Sequence, residues 1–360
     1  MLSTGLTVVG WVSGVLFVLI FSISLPIYTF SHSLTDPDLY LNALADQGLY
    51  AKSPQLFGQQ MDFWVNTLKS KTFIAEFFFQ NVRQSDWEIV AENIITPEWF
   101  KSQTESLVDQ LFAYINGDQS TLKLNVTLTG VKERLGGQIG FDTYLQIVNS
   151  KPECNETELI QWLLSPVIDL LPICKLPENA DFLIFSAPKP EEVVPKILAD
   201  WANTLPDEKD LAASLGSADI QELDDFSTAI RLARTISGVF LLVSIIFLLL
   251  TFASPNGRTL KGWLRIWGIP LLVSGVILFL FAVLFSVLSI WQAGDFIGQL
   301  SDVFIPPIIS LEKEIADQVI LTLAEPLAII GGVLVVIGFG MFSASVFLSA
   351  RSSVKPNSGF

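Results

Sequence analysis

Histidine and cysteine are scarce in this chain of 360 residues, and their scarcity excludes several kinds of site. There is one histidine, His32, and there are two cysteines, Cys154 and Cys174. A zinc site needs more such ligands, and a Ser-His-Asp arrangement could be built only around His32. The chain also lacks a G-x-S-x-G turn and a phosphate-binding loop. The sequence therefore predicts no metal, no cofactor and no catalytic residue, and we expect a non-enzymatic protein.

Charge is absent from four long apolar runs, at residues 6–30, 235–253, 266–291 and 326–350. A bilayer core about 30 Å thick needs roughly 20 apolar helical residues, so the runs predict four transmembrane helices. The first run is too long for a cleaved signal peptide and follows no basic segment, which indicates an uncleaved signal anchor. Coupled transporters and ion channels normally carry charges within the membrane, so their absence here disfavours both classes.

The segments between the runs differ in charge, and this difference predicts the orientation. Residues 254–265 and 351–360 contain no acid and five basic residues, Arg258, Lys261, Arg265, Arg351 and Lys355. The other 16 basic residues (21 − 5) and all 36 acidic residues lie elsewhere, a net charge of −20. Short basic loops stay in the cytoplasm. We therefore predict a multi-pass plasma-membrane protein with residues 1–5, 254–265 and 351–360 inside and residues 31–234 and 292–325 outside. The acidic exterior also argues against nucleic acid as a partner.

Five residues near the ends of the runs are predicted at the membrane interface. Trp263, Trp267 and Trp291 are placed for the aromatic belts. Arg231 and Arg234 precede the second run on the predicted outside, where snorkelling to lipid headgroups explains them. The inverted topology, with these arginines and the acidic region in the cytoplasm, is the alternative.

Small residues within the runs predict close helix contacts, either inside the chain or with a second molecule. The motifs are Gly10-x-x-x-Gly14 in the first run and Ala328-x-x-x-Gly332 in the fourth. Further glycines of the fourth run add to this pattern, namely Gly331, Gly338 and Gly340.

The two cysteines lie 20 positions apart in the predicted external segment. In an oxidising compartment this pair predicts a disulfide, whereas two unpaired buried thiols are the alternative. Residues 156–171 between them show helical periodicity, so the bridge would pin that helix.

The remainder of the predicted external domain is mainly helical with a small sheet. One helix is predicted to begin at Pro37, after the potential caps Thr35 and Asp36, and to end at Gly48. Another is predicted to begin at Thr96-Pro97 and to end at Asn116-Gly117. Residues 59–80 are also helical in pattern, with Phe77–Phe79 as core. Strict alternation over Thr121–Leu128 predicts a strand, with Phe182–Ser186 as its partner.

The segments that lead into the second and fourth runs carry their own signals. Residues 176–210 are rich in proline and predicted irregular. Helices are predicted to run from Ser217 into the second span and from Pro307 into the fourth, with a kink at Pro326. These two segments could form a stalk or collar against which the large domain rests.

Several polar clusters are candidates for chemistry. The acids Asp207, Glu208 and Asp210, and those between 219 and 225, could bind calcium, but a solvated face is favoured. Ser186/Lys189 and Ser310/Lys313 match a Ser-x-x-Lys spacing by chance, and paired carboxylates for a hydrolase stay an open alternative.

Several short motifs carry a resemblance to known proteins. They are Asp36-Pro-Asp-Leu-Tyr40, Thr96-Pro-Glu-Trp99, the Cys154/Cys174 pair and Trp263-Leu-Arg-Ile-Trp-Gly-Ile-Pro270. With them the chain resembles uncharacterised bacterial four-pass membrane proteins that have a large external domain after the first helix, a resemblance that implies no activity. In layout alone it is similar to macrolide-exporter-type ABC permeases and to claudins.

The expected fold is an all-α membrane protein with four transmembrane helices and a mainly α, minor β extracytoplasmic domain. The expected function is binding or scaffolding within a cell-envelope complex, with lipid and a protein partner or a second copy as partners. The alternatives are a permease-like subunit that handles a lipid or peptide, and a membrane-anchored hydrolase that uses carboxylates.

Overall fold

The computed structural model describes residues 2–68, 82–160, 173–176, 190–253, 259–298 and 306–353. Its elements are, in chain order, α1 (Leu2–Ser33), α2 (Pro37–Asp46), α3 (Leu49–Leu68), α4 (Gln84–Asn93), α5 (Pro97–Asn116), β1 (Asn125–Thr127), α6 (Thr129–Gly136), α7 (Gln138–Asn149), α8 (Pro190–Thr204), β2 (Glu208–Asp210), α9 (Ser217–Leu250), α10 (Leu260–Gly298) and α11 (Pro306–Ser353). Short 3₁₀ turns follow β2 and α9, at Ala212–Ser214 and Thr251–Ala253.

Four of these helices are long and apolar enough to cross a membrane: α1, α9, α10 and α11. The apolar stretches cover Val8–Ser33, Ile220–Leu250, Leu260–Val287 and Lys313–Ser349. Each overlaps one of the four uncharged runs, so the structure has a helix long and apolar enough to span a membrane at every predicted run. We call residues 34–216, between the first two spans, the inter-span region.

A glycine seam joins α10 to α11. It consists of Gly268 and Gly275 on α10 and Gly331 and Gly338 on α11, each pair seven residues apart. A Cβ on Gly338 would lie 2.4 Å from Leu272 N and 2.8 Å from Gly268 O, and one on Gly275 would lie 2.7 Å from Gly331 O. These atoms are backbone, so the two antiparallel helices touch with no room for any side chain at these four positions.

A second seam, between α1 and α9, is built from small hydroxyl residues. Ser237, Ser244 and Thr251 recur every seven residues and are at most 2% exposed, while Ser24 and Ser31 of α1 are buried too. On the α9 side the hydroxyls donate to the chain's own carbonyls, as from Ser237 Oγ to Ala233 O at 2.6 Å and from Thr251 Oγ1 to Leu248 O at 2.6 Å. They therefore contribute small size, which lets the helices approach, rather than hydrogen bonds across the seam.

The predicted helix ends in the inter-span region are confirmed. Asp36 Oδ1 accepts from Asp38 N at 3.1 Å, and α2 ends before Gly48, whose φ is +67°. Thr96 caps α5, and Gly117 ends that helix with φ +87°. Residues 156–160 begin the predicted helix between the cysteines, with Asn155 and Glu158 forming reciprocal side-chain to backbone bonds. The remainder of that helix, like Phe77–Phe79, lies outside the described residues.

The strand prediction holds, but its partner differs. β1 is shorter than predicted and pairs antiparallel with β2, with Val126 opposite Lys209. β2 falls in the segment predicted to be irregular, and Phe182–Ser186 lies outside the described residues. Strands this short are held by a few backbone hydrogen bonds, so the pattern of apolar residues does not predict them.

The helix α8 corrects the prediction that residues 176–210 are irregular. Its proline content suggested loop, yet Pro190 stands at the first helical position, where a missing N–H costs nothing. Its apolar residues recur on one face and pack against Phe141 of α7; they are Val193, Val194, Ile197 and Leu198. Burial of that face outweighs the hydrogen bond lost at Pro195.

The inter-span region rests on the extensions of two spanning helices. α9 and α11 run without a break from their segments beside this region into their apolar stretches, as predicted, and α11 passes through Pro326. Ala43 of α2 is buried against Val319 and Leu323 of α11, and Phe30, Tyr40 and Phe285 close the same cluster. Gln318 Nε2 donates to Asp46 Oδ2 at 2.7 Å beside it. The collar arrangement is thus present on α11.

Candidate functional site

The disulfide of the inter-span region lies at the centre of a small crosslinked cluster. Cys154 and Cys174 are bonded and 8% and 4% exposed. Backbone hydrogen bonds run beside the bridge, from Cys154 N to Lys175 O at 2.9 Å and from Lys175 N to Pro152 O at 3.0 Å. The predicted disulfide is therefore present in the structure, and it fixes the end of α7 to residues 173–176.

A buried ion pair adjoins the disulfide. Lys151 Nζ donates to Asp86 Oδ2, and the two side chains are 5% and 2% exposed. The same carboxylate oxygen accepts from Arg83 N at 2.7 Å at the start of α4. Because a buried charge is tolerated only when it is paired and hydrogen-bonded, this pair locks α4 to the disulfide cluster.

An apolar cavity of about 240 Å³ lies between α4, α6, α7 and α8, and we call it the inter-span cavity. Among the described residues that line it, the surface facing the cavity is entirely apolar. The cavity is lined from α4, α6, α7 and α8 together with two flanking residues, namely Trp87, Val90, Ile94, Leu135, Gly140, Thr143, Tyr144, Ile147, Leu198, Trp201, Val82 and Ile173. Ile173 directly precedes the disulfide, and Trp87 directly follows the buried carboxylate.

The inter-span cavity exposes apolar side chains to its interior. Water gains few hydrogen bonds against such a wall, and covering apolar surface is favourable. Burial also raises the pKa of Tyr144 in the wall, so its ring is neutral at ordinary pH. The site therefore favours an apolar ligand.

A hydrogen-bonded joint around Arg234 connects the first two spans to the inter-span region. Arg234 Nη2 donates to Ser31 O at 3.0 Å and to Asn116 Oδ1 at 3.1 Å, and it also contacts Thr35 Oγ1. Asn116 Nδ2 in turn donates to Thr35 O at 3.1 Å. The position of Arg234 at the membrane interface stays a prediction, while its guanidinium has protein acceptors that no local sequence pattern reveals.

Nearer the start of α9, a further contact holds α5. Tyr114 donates to Asp224, and this hydrogen bond together with burial raises the pKa of Tyr114. Arg231 is exposed and donates within its own helix, to Ser227 O at 3.2 Å. Its Nη1 lies 2.5 Å from where a Cβ of Gly117 would be, so the glycine also gives that side chain room.

The predicted interfacial tryptophans lie at the start of α10. The rings of Trp263 and Trp267 are 5.6 Å apart, and Trp267 is 4.9 Å from Phe252 at the end of α9. Trp291 is in α10, and its side chain is outside the described part of the structure. The belt assignment stays a prediction because no bilayer is present.

The two predicted packing motifs differ in their surroundings. Gly10 and Gly14 line an apolar groove of about 210 Å³ between α1 and α10, where Gly14 lies against Pro270 and Arg265 stands at the edge. On α11, Ala328 is half-buried, whereas a Cβ on Gly332 would meet nothing within 4 Å. Gly331 and Gly338 make the close contact within the chain, so Gly332 faces lipid or a second molecule.

The acidic clusters considered for calcium serve the fold. Asp207 pairs with Lys132, and Asp210 Oδ1 accepts from Leu124 N at 3.1 Å and Ala212 N at 2.9 Å. Among the residues that the structure describes, no group of three His, Cys, Asp or Glu side chains could hold a metal ion.

The hydroxyl and carboxylate candidates for hydrolysis are not assembled in the described ranges. Ser310 Oγ donates to Pro307 O at 2.9 Å, and Ser186 and Lys189 lie outside those ranges. The carboxylate of Asp86, which is 1% exposed, is paired with a lysine rather than with a second carboxylate.

Sequence patterns did not predict the inter-span cavity, because its walls come from four helices that meet only in the fold. The Trp87 and Trp201 side chains were the available signal, as large aromatic residues in short amphipathic helices. Comparison with protein-family models, with curated proteins and with solved structures finds no match to this chain.

Proposed function

We propose that this protein is a membrane-anchored binding or scaffold component of the cell envelope, with the inter-span region outside and both termini in the cytoplasm. The observation that carries the proposal is the rigid attachment of this region to the helix bundle. α9 contacts this region through Asp224 and α11 through Leu323, and the Arg234 joint ties it to α1. A region mounted in this way presents its surface at a fixed height above the bilayer.

The charge distribution supports the orientation in this proposal. The predicted external segments carry a net charge of −20, whereas the two short segments inside are purely basic. A disulfide in the inter-span region is also expected in an oxidising compartment outside the cytoplasm.

Co-purification from native membranes tests the scaffold function. The full chain should emerge with a protein partner or a second copy at stoichiometric level. Arg234→Gln should release the partner at least tenfold faster because the joint is loosened, whereas Arg231→Gln, at an exposed position three residues earlier, should behave as the original chain. Circular dichroism checks that both variants fold. A chain that emerges alone, or equal release from both variants, would refute the proposal.

A further inference from the structure

We infer that the inter-span cavity binds one hydrocarbon chain of about eight carbons. This inference rests on the proposed function and names a ligand class for the same region. The volume of about 240 Å³ sets the length, since a methylene group occupies about as much space as a water molecule, roughly 30 Å³.

The wall chemistry selects a hydrocarbon over a polar ligand. The described residues that line the cavity present an entirely apolar surface to it, so a hydroxyl or carboxylate inside would lose its hydrogen bonds to water without replacement. Trp87 and Trp201 supply broad apolar surfaces with little conformational freedom to lose. Any polar headgroup therefore has to stay at the opening.

The cavity is held open by crosslinks on two sides, which distinguishes it from a packing defect. The disulfide fixes the backbone next to Ile173, and the Lys151–Asp86 pair fixes α4 next to Trp87. Walls that are tied in this way resist inward collapse, so the space between the described residues stays available to a ligand.

The bilayer is the nearest source of such a chain, because the collar on α11 and the Arg234 joint mount the region on the spanning helices. The chain could come from a phospholipid or from a free fatty acid. The net charge of −20 of the predicted external segments favours a zwitterionic headgroup over an anionic one.

Photo-crosslinking of the full-length protein in lipid nanodiscs tests this inference. Two probes are used, a phosphatidylcholine with a diazirine on one acyl chain and decanoic acid with a terminal diazirine. Mass spectrometry should place label on peptides of α4, α7 or α8, and the probe that labels them identifies the source of the chain.

Ile147→Trp fills the cavity and should reduce that labelling at least tenfold. Ile139→Trp is the matched control, because Ile139 lies on the same helix at 41% exposure, and should leave labelling unchanged. Val90→Phe on α4 is a second filling variant if Ile147→Trp does not fold. Label confined to the spanning helices with both probes, or cavity label unaffected by filling, would overturn the inference. A partner that still co-purifies in that case leaves the scaffold function standing.

Discussion

Gly338→Ala should destabilise the helix bundle, because the glycine seam has no space for a methyl group. The new Cβ would lie 2.4 Å from Leu272 N and 2.8 Å from Gly268 O, whereas ordinary contact begins near 3.4 Å. The helices α10 and α11 would have to separate by about 1 Å at this point. A gap of that size forfeits up to about half of each dispersion contact, and overpacking of this kind costs about 1–3 kcal/mol.

Gly332→Ala is the matched control on the same helix. A Cβ there meets nothing within 4 Å, so only helix propensity changes, which favours alanine by up to about 1 kcal/mol. The two substitutions are chemically identical and six residues apart, yet their effects should have opposite signs. Because the propensity gain is common to both substitutions, the expected difference in the free energy of unfolding is the overpacking cost of about 1–3 kcal/mol.

Equilibrium unfolding of both variants in mixed detergent and SDS micelles measures this difference, with helix content followed by circular dichroism. Gly275→Ala should resemble Gly338→Ala, since its Cβ would lie 2.7 Å from Gly331 O. Equal stability of Gly338→Ala and Gly332→Ala would refute the backbone contact across the seam.

Three further outcomes are expected in the inter-span region. Lys151→Met should lower the free energy of unfolding by about 3–5 kcal/mol in chemical denaturation, because it leaves a buried carboxylate unpaired. Lys132→Met breaks an ion pair whose acid is 76% exposed and should lower it by under about 1 kcal/mol. Similar losses of stability in the two variants would contradict the burial of the Lys151–Asp86 pair. Cys154→Ser should abolish the mobility shift between reduced and non-reduced protein and lower stability by about 3 kcal/mol, and free thiols in the unmodified protein would exclude the bridge. Tyr114→Phe should lower stability at neutral pH by about 1.5 kcal/mol. Because the folded pKa of Tyr114 is raised, its contribution is complete below pH 10 and is lost as pH rises further, so the variant should lose less stability in alkali on denaturation at several pH values.

The sequence predicted what local chemistry determines. Length and lack of charge identify the four spans, and Thr96, Asp36 and Gly117 carry the capping properties that begin and end helices. The two cysteines could pair only with each other, so their bridge followed from composition. The continuity of α9 and α11 followed from an absence of breaking residues.

Features that depend on the meeting of distant segments were missed. Gly331 and Gly338 were among the small residues predicted to make close helix contacts, but the Ala328-x-x-x-Gly332 motif does not describe the seven-residue spacing at which they meet α10. Arg234 has its acceptors about 120 and 200 positions away in the sequence, and so no local pattern predicted them. The inter-span cavity is a space between side chains, and no residue type signals a space.

The uninterrupted helices α9 and α11 are longer than a membrane requires. Their 34 and 48 residues correspond to about 51 Å and 72 Å at 1.5 Å per residue, well beyond a hydrocarbon core of about 30 Å. Each is therefore one continuous rod from its apolar stretch to the inter-span region, which α9 reaches at Tyr114 and α11 at Ala43. Pro326 withholds one backbone hydrogen bond partway along α11, so that is where this helix can bend.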